Sequence, residues 1–243
     1  MLKKPGFKAI FVLEFLIRQA NMHEIVQQIR ADLRRSMNGV ISKSMREKGL
    51  SYKLNFGVDI PRLRELSKRY PADTQLVELL WKQETRELKI LATLLCPVDE
   101  FTIEKAEKWV KEISNHEIRE QICMNLFQKL SFADKLVENW TNSTDEEIRT
   151  SGYWLFARLL IVKSDLVKDI DSNILLDKMI SDLSSDSYFL RLSAQNALKF
   201  LGRTSKELSQ KILTGIQDFQ TSDNTVKNEI FESLSFEFTD YLD

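Results

Sequence analysis

The chain has 243 residues, 43% of them apolar and 29% charged, which is enough to bury the core of one large domain or two modest ones. Its 35 basic and 36 acidic side chains leave a formal net charge of -1, which argues against an obligate polybasic tail but does not exclude nucleic-acid binding, since only one face need be basic. Seven glycines and four prolines supply few hairpin turns, so long helices joined by short polar loops are favoured.

The N-terminal stretch of the chain is an apolar segment that Glu14 interrupts. It matches a signal peptide only loosely, because no small-residue cleavage site follows it, and no later segment is long enough to span a bilayer. A second methionine, Met22, opens an amphipathic helix. Our hypothesis is that residues 1–21 are an optional extension produced by a mis-assigned start, and that residues 22–243 form a single repeat domain.

Apolar residues at helical spacing define the elements of the first half. They recur at i, i+4 and i+8 in a predicted helix over 22–36, and a second helix follows over 38–48. A loop is predicted over 50–58. Three helices are predicted after this loop. Asp59 caps the first, which Pro71 ends, and Asp73 or Thr74 caps the second. The third begins near Thr85 and stops before Pro97.

The second half repeats this pattern of short, capped helices. Its predicted helices cover 101–113, 116–130, 132–140, 145–162, 173–183, 187–201, 205–219 and 223–235. Caps are predicted at Ser131, Thr144, Ser172, Asp186 and Ser205, and Glu147 would complete a capping box with Thr144. Helix pairs recur roughly every 35–45 residues, and no strand pattern competes, which is typical of tandem helical repeats. The sequence therefore predicts an all-α, HEAT-like helical-repeat solenoid, an α–α superhelix.

The sequence contains no common enzyme motif. GxGxxG, GxxxxGK[ST], HExxH and GxSxG are all absent, and two histidines are too few for most metal or triad arrangements. Cys96 and Cys123 lie in apolar helical segments without a CxxC partner, so we expect buried thiols and a reducing cytoplasm. We predict no cofactor and no metal.

Two segments carry a resemblance to a known family. The first is FGVDIPRLRELSK at 56–68, and the second is LLW at 79–81 followed by RELKILA at 86–92. They resemble the DNA alkylation-repair family of AlkD type, whose members show a Gly-[Val/Ile]-x-x-Pro-x-x-Arg segment and then Leu-Trp and Arg-Glu on the next helices. The resemblance extends over about residues 22–235.

The resemblance implies a C-shaped solenoid that cups duplex DNA in a concave basic channel and removes cationic alkylated purines by cleaving the N-glycosidic bond. The damaged base is already a good leaving group, so the family needs a carboxylate near the deoxyribose to stabilise a developing oxocarbenium ion. Arginines hold the flanking phosphates, and aromatic side chains line the sugar. Members look able to act without flipping the base.

The family's catalytic carboxylate and its first tryptophan match Glu120 and His116, so both positions are altered here. Glu in place of Asp keeps the charge but moves it by a methylene, and placement within about 1 Å matters for the rate. The alternative is that Glu117, Arg119 and Glu120 form only a solvated helix face. His116 is a weak candidate for a general base or metal ligand.

The phosphate-binding arginine of the family matches Arg149, near the start of its helix, although an ordinary surface arginine is the alternative. The second tryptophan position falls by register on Asn196. Arg191, Lys199 and Arg203 are weaker candidates for contacts in the DNA channel.

Other basic and aromatic residues have structural explanations. We expect Trp109, Trp140 and Trp154 to belong to the core. A stripe formed by Lys105, Lys108 and Lys111 could face phosphates, but the glutamates between them favour a salt-bridged exposed helix.

Two functions therefore remain open from the sequence. The first is an alkylpurine DNA glycosylase that binds duplex DNA as a cytoplasmic monomer, with Glu120, His116 and Arg149 at its catalytic centre. The second is a catalytically inactive HEAT-like scaffold that binds DNA or protein, which the loss of both tryptophans and the near-neutral charge favour.

Overall fold

Helices make up nearly all of the regular structure in the computed structural model, which describes the backbone of residues 7–50 and 52–242 and the side chains of residues 18–50 and 52–239. Within these residues no strand forms, and the only bridge pairs Leu54 with Thr85. The α-helices are α1 (Phe7–Arg35), α2 (Gly39–Glu47), α3 (Ile60–Ser67), α4 (Thr74–Trp81), α5 (Arg86–Leu95), α6 (Ile103–Lys111), α7 (His116–Asn125), α8 (Ala133–Thr141), α9 (Glu146–Ile161), α10 (Ser172–Asp182), α11 (Tyr188–Gly202), α12 (Lys206–Gly215) and α13 (Thr225–Leu242).

Capping side chains fix where most helices begin. Asp59, Asp73 and Ser205 accept hydrogen bonds from backbone N–H groups of the first turn, as predicted. Four predicted caps are wrong by one residue. In place of Ser131, Thr144, Ser172 and Asp186, the N-caps are Phe132, Asp145, Asp171 and Ser187, respectively. The Asp145 carboxylate accepts from the backbone N–H groups of Glu147 and Ile148, so the capping box predicted at Thr144 does not form.

The first helix starts earlier than predicted. It runs unbroken from Phe7 to Arg35 instead of opening at Met22, because no glycine or proline interrupts the chain there. Arg18 in the earlier half pairs with Asp73, the N-cap of α4, at 2.8 Å. Residues 1–6 of the predicted extension lie outside the described residues.

Two predicted helices are shorter than expected at their C-terminal ends. The helices predicted over 116–130 and 205–219 give way to 3-10 turns at Phe127–Lys129 and Gln217–Thr221. Further 3-10 turns lie at Val98–Glu100 and Asp165–Asp169.

The chain divides into two compact units, Met1–Glu100 and Phe101–Asp243. In the first unit a buried ion pair at the start of α5 holds the loop between α2 and α3 in place. Arg86 Nη1 lies 3.1 Å from Glu87 Oε1 and donates to the Val58 carbonyl at 2.7 Å. The Glu87 carboxylate accepts from the backbone N–H groups of Phe56 and Val58. We call Arg86, Glu87 and the loop residues they bind the loop clamp.

Gly57 lies in the middle of the loop clamp, and no other residue fits there. Its φ of +72° is in the left-handed region, and an added Cβ would lie 2.1 Å from the Asn38 carbonyl oxygen. The segments that carry the family resemblance therefore hold α2, the loop and α5 together. The contacts of Gly57, Arg86 and Glu87 in these segments are therefore structural.

The second unit is built from paired helices in two layers. The helices α8, α10 and α12 pack against α9, α11 and α13, respectively, while α7, α9, α11 and α13 are successive neighbours in one layer. Trp109 and Trp140 are buried in the core, as predicted, but Trp154 on α9 is only partly buried.

Candidate functional site

An aromatic cluster forms where α7, α9 and α11 lie side by side. The His116 ring stacks on Phe189, with centroids 4.6 Å apart and planes inclined by 19°. It also meets the Trp154 ring edge-on, with centroids 4.8 Å apart. We use the name aromatic cluster for His116, Trp154 and Phe189. Phe189 is 39% exposed, so the cluster reaches the surface of the second unit.

Glu120 lies one helical turn beyond His116 on α7 and borders the aromatic cluster. Its Oε1 is 3.5 Å from His116 Nε2, and its side chain is 41% exposed while that of His116 is 14% exposed. The other ring nitrogen, Nδ1, is buried and makes no hydrogen bond with any described residue. The site thus has a solvent-facing carboxylate beside a partly covered aromatic surface.

Two helix N-termini point their positive ends toward this surface. His116 is the first residue of α7 and Tyr188 is the first residue of α11, with Asn115 and Ser187 as the N-caps. The unpaired N–H groups and the helix dipole at such ends favour anions. The exposed Tyr188 ring meets Phe189 edge-on at 5.3 Å, so the aromatic surface continues outward from the cluster.

Arg191 lies one turn into α11, close to these helix ends. Its Nη1 donates to the Ser185 carbonyl at 2.5 Å, which holds the side chain against the loop before α11. It forms no ion pair with any residue whose side chain is described. Its charge is therefore available to an anion from outside.

The other predicted cations are neutralised by neighbouring carboxylates. Arg149 donates to both carboxylate oxygens of Asp182, at 2.8 and 3.1 Å, and to the Ser143 carbonyl at 2.9 Å. The hydrogen bonds to Asp182 outweigh burial and raise the pKa of Arg149. Lys199 and Arg203 both pair with Glu237 of α13. Among the residues with described side chains, no hydrogen bond, ion pair or cation–π contact joins these three cations to the aromatic cluster.

The structure corrects two expectations from the sequence at this site. Arg119 is not part of a solvated face: it is 1% exposed, binds Ser151 Oγ at 3.0 Å and pairs with Glu147 on α9. The register of the resemblance placed the family's second tryptophan at Asn196, whereas the ring that stacks on His116 belongs to Phe189, seven residues earlier. The adjacent Tyr188 and Phe189, directly after the capping Ser187, were the signal that could have located it.

The lysine stripe of α6 matches the salt-bridged alternative. Lys108 Nζ lies 3.9 Å from Glu112 Oε1, and the neighbouring Glu107 accepts from Trp140 Nε1 at 3.1 Å. Glu107 therefore anchors a core tryptophan.

Neither a membrane segment nor a metal site emerges from the part of the chain that the structure describes. No helix there is both long and apolar enough to cross a bilayer. No group of three or more His, Cys, Asp or Glu side chains there is arranged to hold a metal ion.

Comparison with known proteins links this chain to DNA repair. The sequence profile of a family described as "DNA alkylation repair enzyme" matches residues 29–219. No curated protein gives a significant sequence match.

One solved structure shares the fold over most of both chains. It is described as "a new family of proteins related to the HEAT-like repeat DNA glycosylases with affinity for branched DNA structures", with 13% identity, a TM-score of 0.72 and coverage of 86% of this chain and 94% of that one. This similarity confirms the predicted all-α, HEAT-like helical-repeat class.

Two further solved structures are too distant to support any argument. Cex1p shows 20% identity and a TM-score of 0.44, covering 74% of this chain and 38% of its own. A designed armadillo repeat protein in complex with the peptide (KR)4 shows 16% identity and a TM-score of 0.43, covering 91% of this chain and 92% of its own.

Proposed function

The chain belongs to the DNA alkylation repair enzyme family, and we propose that it binds duplex DNA at the aromatic cluster and excises cationic alkylated purines. The observation that carries the proposal is the position of Glu120, a partly exposed carboxylate that borders the aromatic cluster at the positive ends of α7 and α11. The DNA phosphates are attracted by those helix ends, while the carboxylate is available to a cation.

In the proposed reaction the bond between C1′ and the purine nitrogen breaks and the neutral base departs. Positive charge develops on the deoxyribose, and the Glu120 carboxylate stabilises it through a charge that is already in place. Water then adds to C1′ and releases a proton to the solvent, which completes the hydrolysis. His116, Trp154 and Phe189 present ring surfaces to the sugar, which excludes water from one side and strengthens the electrostatic interaction.

Among the cations, we assign the principal phosphate contact to Arg191. Its charge has no carboxylate partner among the residues with described side chains. Arg149, Lys199 and Arg203 enter the proposal as weaker DNA contacts, because Asp182 and Glu237 already neutralise much of their charge.

The proposal is tested by incubating the protein with duplex DNA that contains 7-methylguanine and measuring the free base. We expect release from the wild type and about a 100-fold slower release from Glu120→Gln, the size of effect seen when one electrostatic group is removed. Glu138→Gln, an exposed carboxylate on α8, is the control and should keep the wild-type rate. Equal rates in Glu120→Gln and the wild type remove Glu120 from this role.

A second candidate function is DNA binding without excision. His116 stands where the resemblance leads us to expect a tryptophan, so the ring surface offered to the sugar is smaller. The similar solved protein is described as having affinity for branched DNA structures. If this chain shares that property, it will bind a four-way junction more tightly than a linear duplex and will release no base from alkylated DNA.

A further inference from the structure

Beside the aromatic cluster, between α11 and α13, lies a cleft of about 270 Å³. Six of its lining residues are Tyr188, Arg191, Gln195, Val226, Glu229 and Ser233. Tyr188 and Arg191 thus face this cleft as well as the surface next to the cluster. Of this lining the proposed function uses only Arg191, as a phosphate contact.

The chemistry of the lining combines an open aromatic face with hydrogen-bonding groups. Tyr188 is 61% exposed and meets Phe189 only edge-on, at an interplanar angle of 72°, so a face of its ring is open to stacking. Every nucleic-acid base has a π face, and base stacking on an aromatic side chain is tolerant of sequence. Gln195 and Ser233 supply an amide and a hydroxyl that can bind the edge of a base.

Charge and size restrict the occupant further. Arg191 adds a cation without a carboxylate ion pair among the residues with described side chains, and a phosphate is the anion whose geometry suits a guanidinium. Pockets for drug-sized ligands have volumes of about 300–1,000 Å³, so a cleft of about 270 Å³ accepts one flat ring system and little more. A stacking face, an edge partner and a phosphate partner together match a single nucleotide.

We propose that this cleft holds one unpaired nucleotide of the bound DNA, with its base stacked on Tyr188 and its phosphate at Arg191. The inference rests on the proposed DNA binding and adds a preference: DNA with an unpaired nucleotide binds more tightly than the same DNA fully paired.

The test compares two duplexes that differ only by one unpaired 2-aminopurine nucleotide. Binding is followed by fluorescence anisotropy of an end label, and stacking by quenching of the 2-aminopurine. For the wild type we expect tighter binding of the bulged duplex together with quenching. Tyr188→Ala should weaken binding of the bulged duplex about tenfold and abolish the quenching, because the stacked partner is gone.

Two variants serve as controls. Tyr188→Phe retains the ring and should keep both the preference and the quenching. Phe236 is a different exposed aromatic residue, on α13, with 84% of its surface exposed, and it does not line the cleft. Phe236→Ala should therefore bind like the wild type. Tyr188 is exposed at the first position of α11, so its replacement should leave the fold intact, which circular dichroism verifies.

The outcomes separate this inference from the proposed function. Binding of the paired duplex without preference for the bulged one overturns the cleft assignment and leaves DNA binding standing. A preference and quenching that persist in Tyr188→Ala also overturn it. A protein that binds neither duplex overturns the proposed function and the inference with it.

Discussion

Asp182 is the residue on which the polar contact between α9 and α10 depends. Its Oδ2 accepts from Arg149 Nε at 2.8 Å and from the Tyr153 hydroxyl at 2.6 Å. Burial, followed by the hydrogen bond to this carboxylate, raises the pKa of Tyr153. Arg149 was predicted from the sequence to bind phosphate, yet its local environment is that of a residue that fastens two helices.

We expect Asp182→Asn to lower the free energy of unfolding by about 2 kcal/mol, because hydrogen bonds to a charged group contribute about 1.5–3 kcal/mol each. Urea denaturation measures the change. Asp186→Asn, an exposed carboxylate four residues further on, is the matched control and should unfold like the wild type. If the two variants unfold at the same urea concentration, the bridge to Asp182 contributes nothing to stability.

At the scale of elements, the loop clamp connects α2 to α5 through the loop that follows α2. Gly57 and Gly49 both have left-handed backbones, with φ of +72° and +83°, but only Gly57 is crowded. Alanine substitutions at the two glycines therefore distinguish the energetic cost of backbone strain alone from that of strain combined with steric overlap.

Gly49→Ala should cost about 1–2 kcal/mol of stability, the price of a left-handed alanine. Gly57→Ala should cost clearly more, because its Cβ would also lie 2.1 Å from the Asn38 carbonyl oxygen and 2.7 Å from the Ser42 backbone nitrogen. Chemical denaturation of both variants measures the difference. Similar losses in the two variants would show that the loop moves aside at little cost.

The contact between α11 and α13 depends on pH through Glu237. Burial opposes the charge of this carboxylate, but hydrogen bonds from Lys199 and Arg203 outweigh it and hold the pKa of Glu237 below its ordinary 4.5. A depressed pKa means that the ion pairs stabilise the fold fully above the ordinary pKa and that this stabilisation is lost as the pH falls through the lowered value.

Glu237→Gln should therefore lower the urea midpoint at pH 7, and the difference from the wild type should shrink as the pH falls below about 4.5. Glu232→Gln, exposed on the same helix, should show no such difference. A Glu237→Gln effect of equal size at pH 7 and pH 3 would mean that packing, and not the charge, is responsible.

For the whole molecule, a formal net charge of -1 provides no general attraction to DNA. Binding must then come from a few local contacts, and of the four cations predicted to bind DNA only Arg191 lacks a carboxylate partner among the residues with described side chains. Each neutralised phosphate contributes about -0.9 to the slope of log K against log salt concentration.

Arg191→Ala should therefore reduce the magnitude of that slope by about one. Arg203→Ala should change it by less, because Glu237 already compensates the Arg203 charge. Titrations of labelled duplex at several salt concentrations give both slopes. Equal changes in the two variants would show that the ion pair with Glu237 opens when DNA binds.

Periodicity in the sequence located nearly every helix, because the 3.6-residue repeat is a local property of the chain. It did not separate Thr144 from Asp145 as a cap, since both side chains accept hydrogen bonds at that position. The aromatic cluster was missed for a different reason. His116 and Phe189 meet across two helices that are far apart in sequence, and counting along the chain led instead to Asn196.

The loop clamp bears on how such a protein changes over evolutionary time. A substitution at Gly57 or Glu87 removes or disrupts buried contacts, so we expect the variant to unfold more often and to be less abundant in a cell. A substitution at His116, near the surface, leaves a folded protein that persists in the cell. Folding thus constrains Gly57 and Glu87 more tightly than His116, whose replacement leaves the buried contacts of the loop clamp intact.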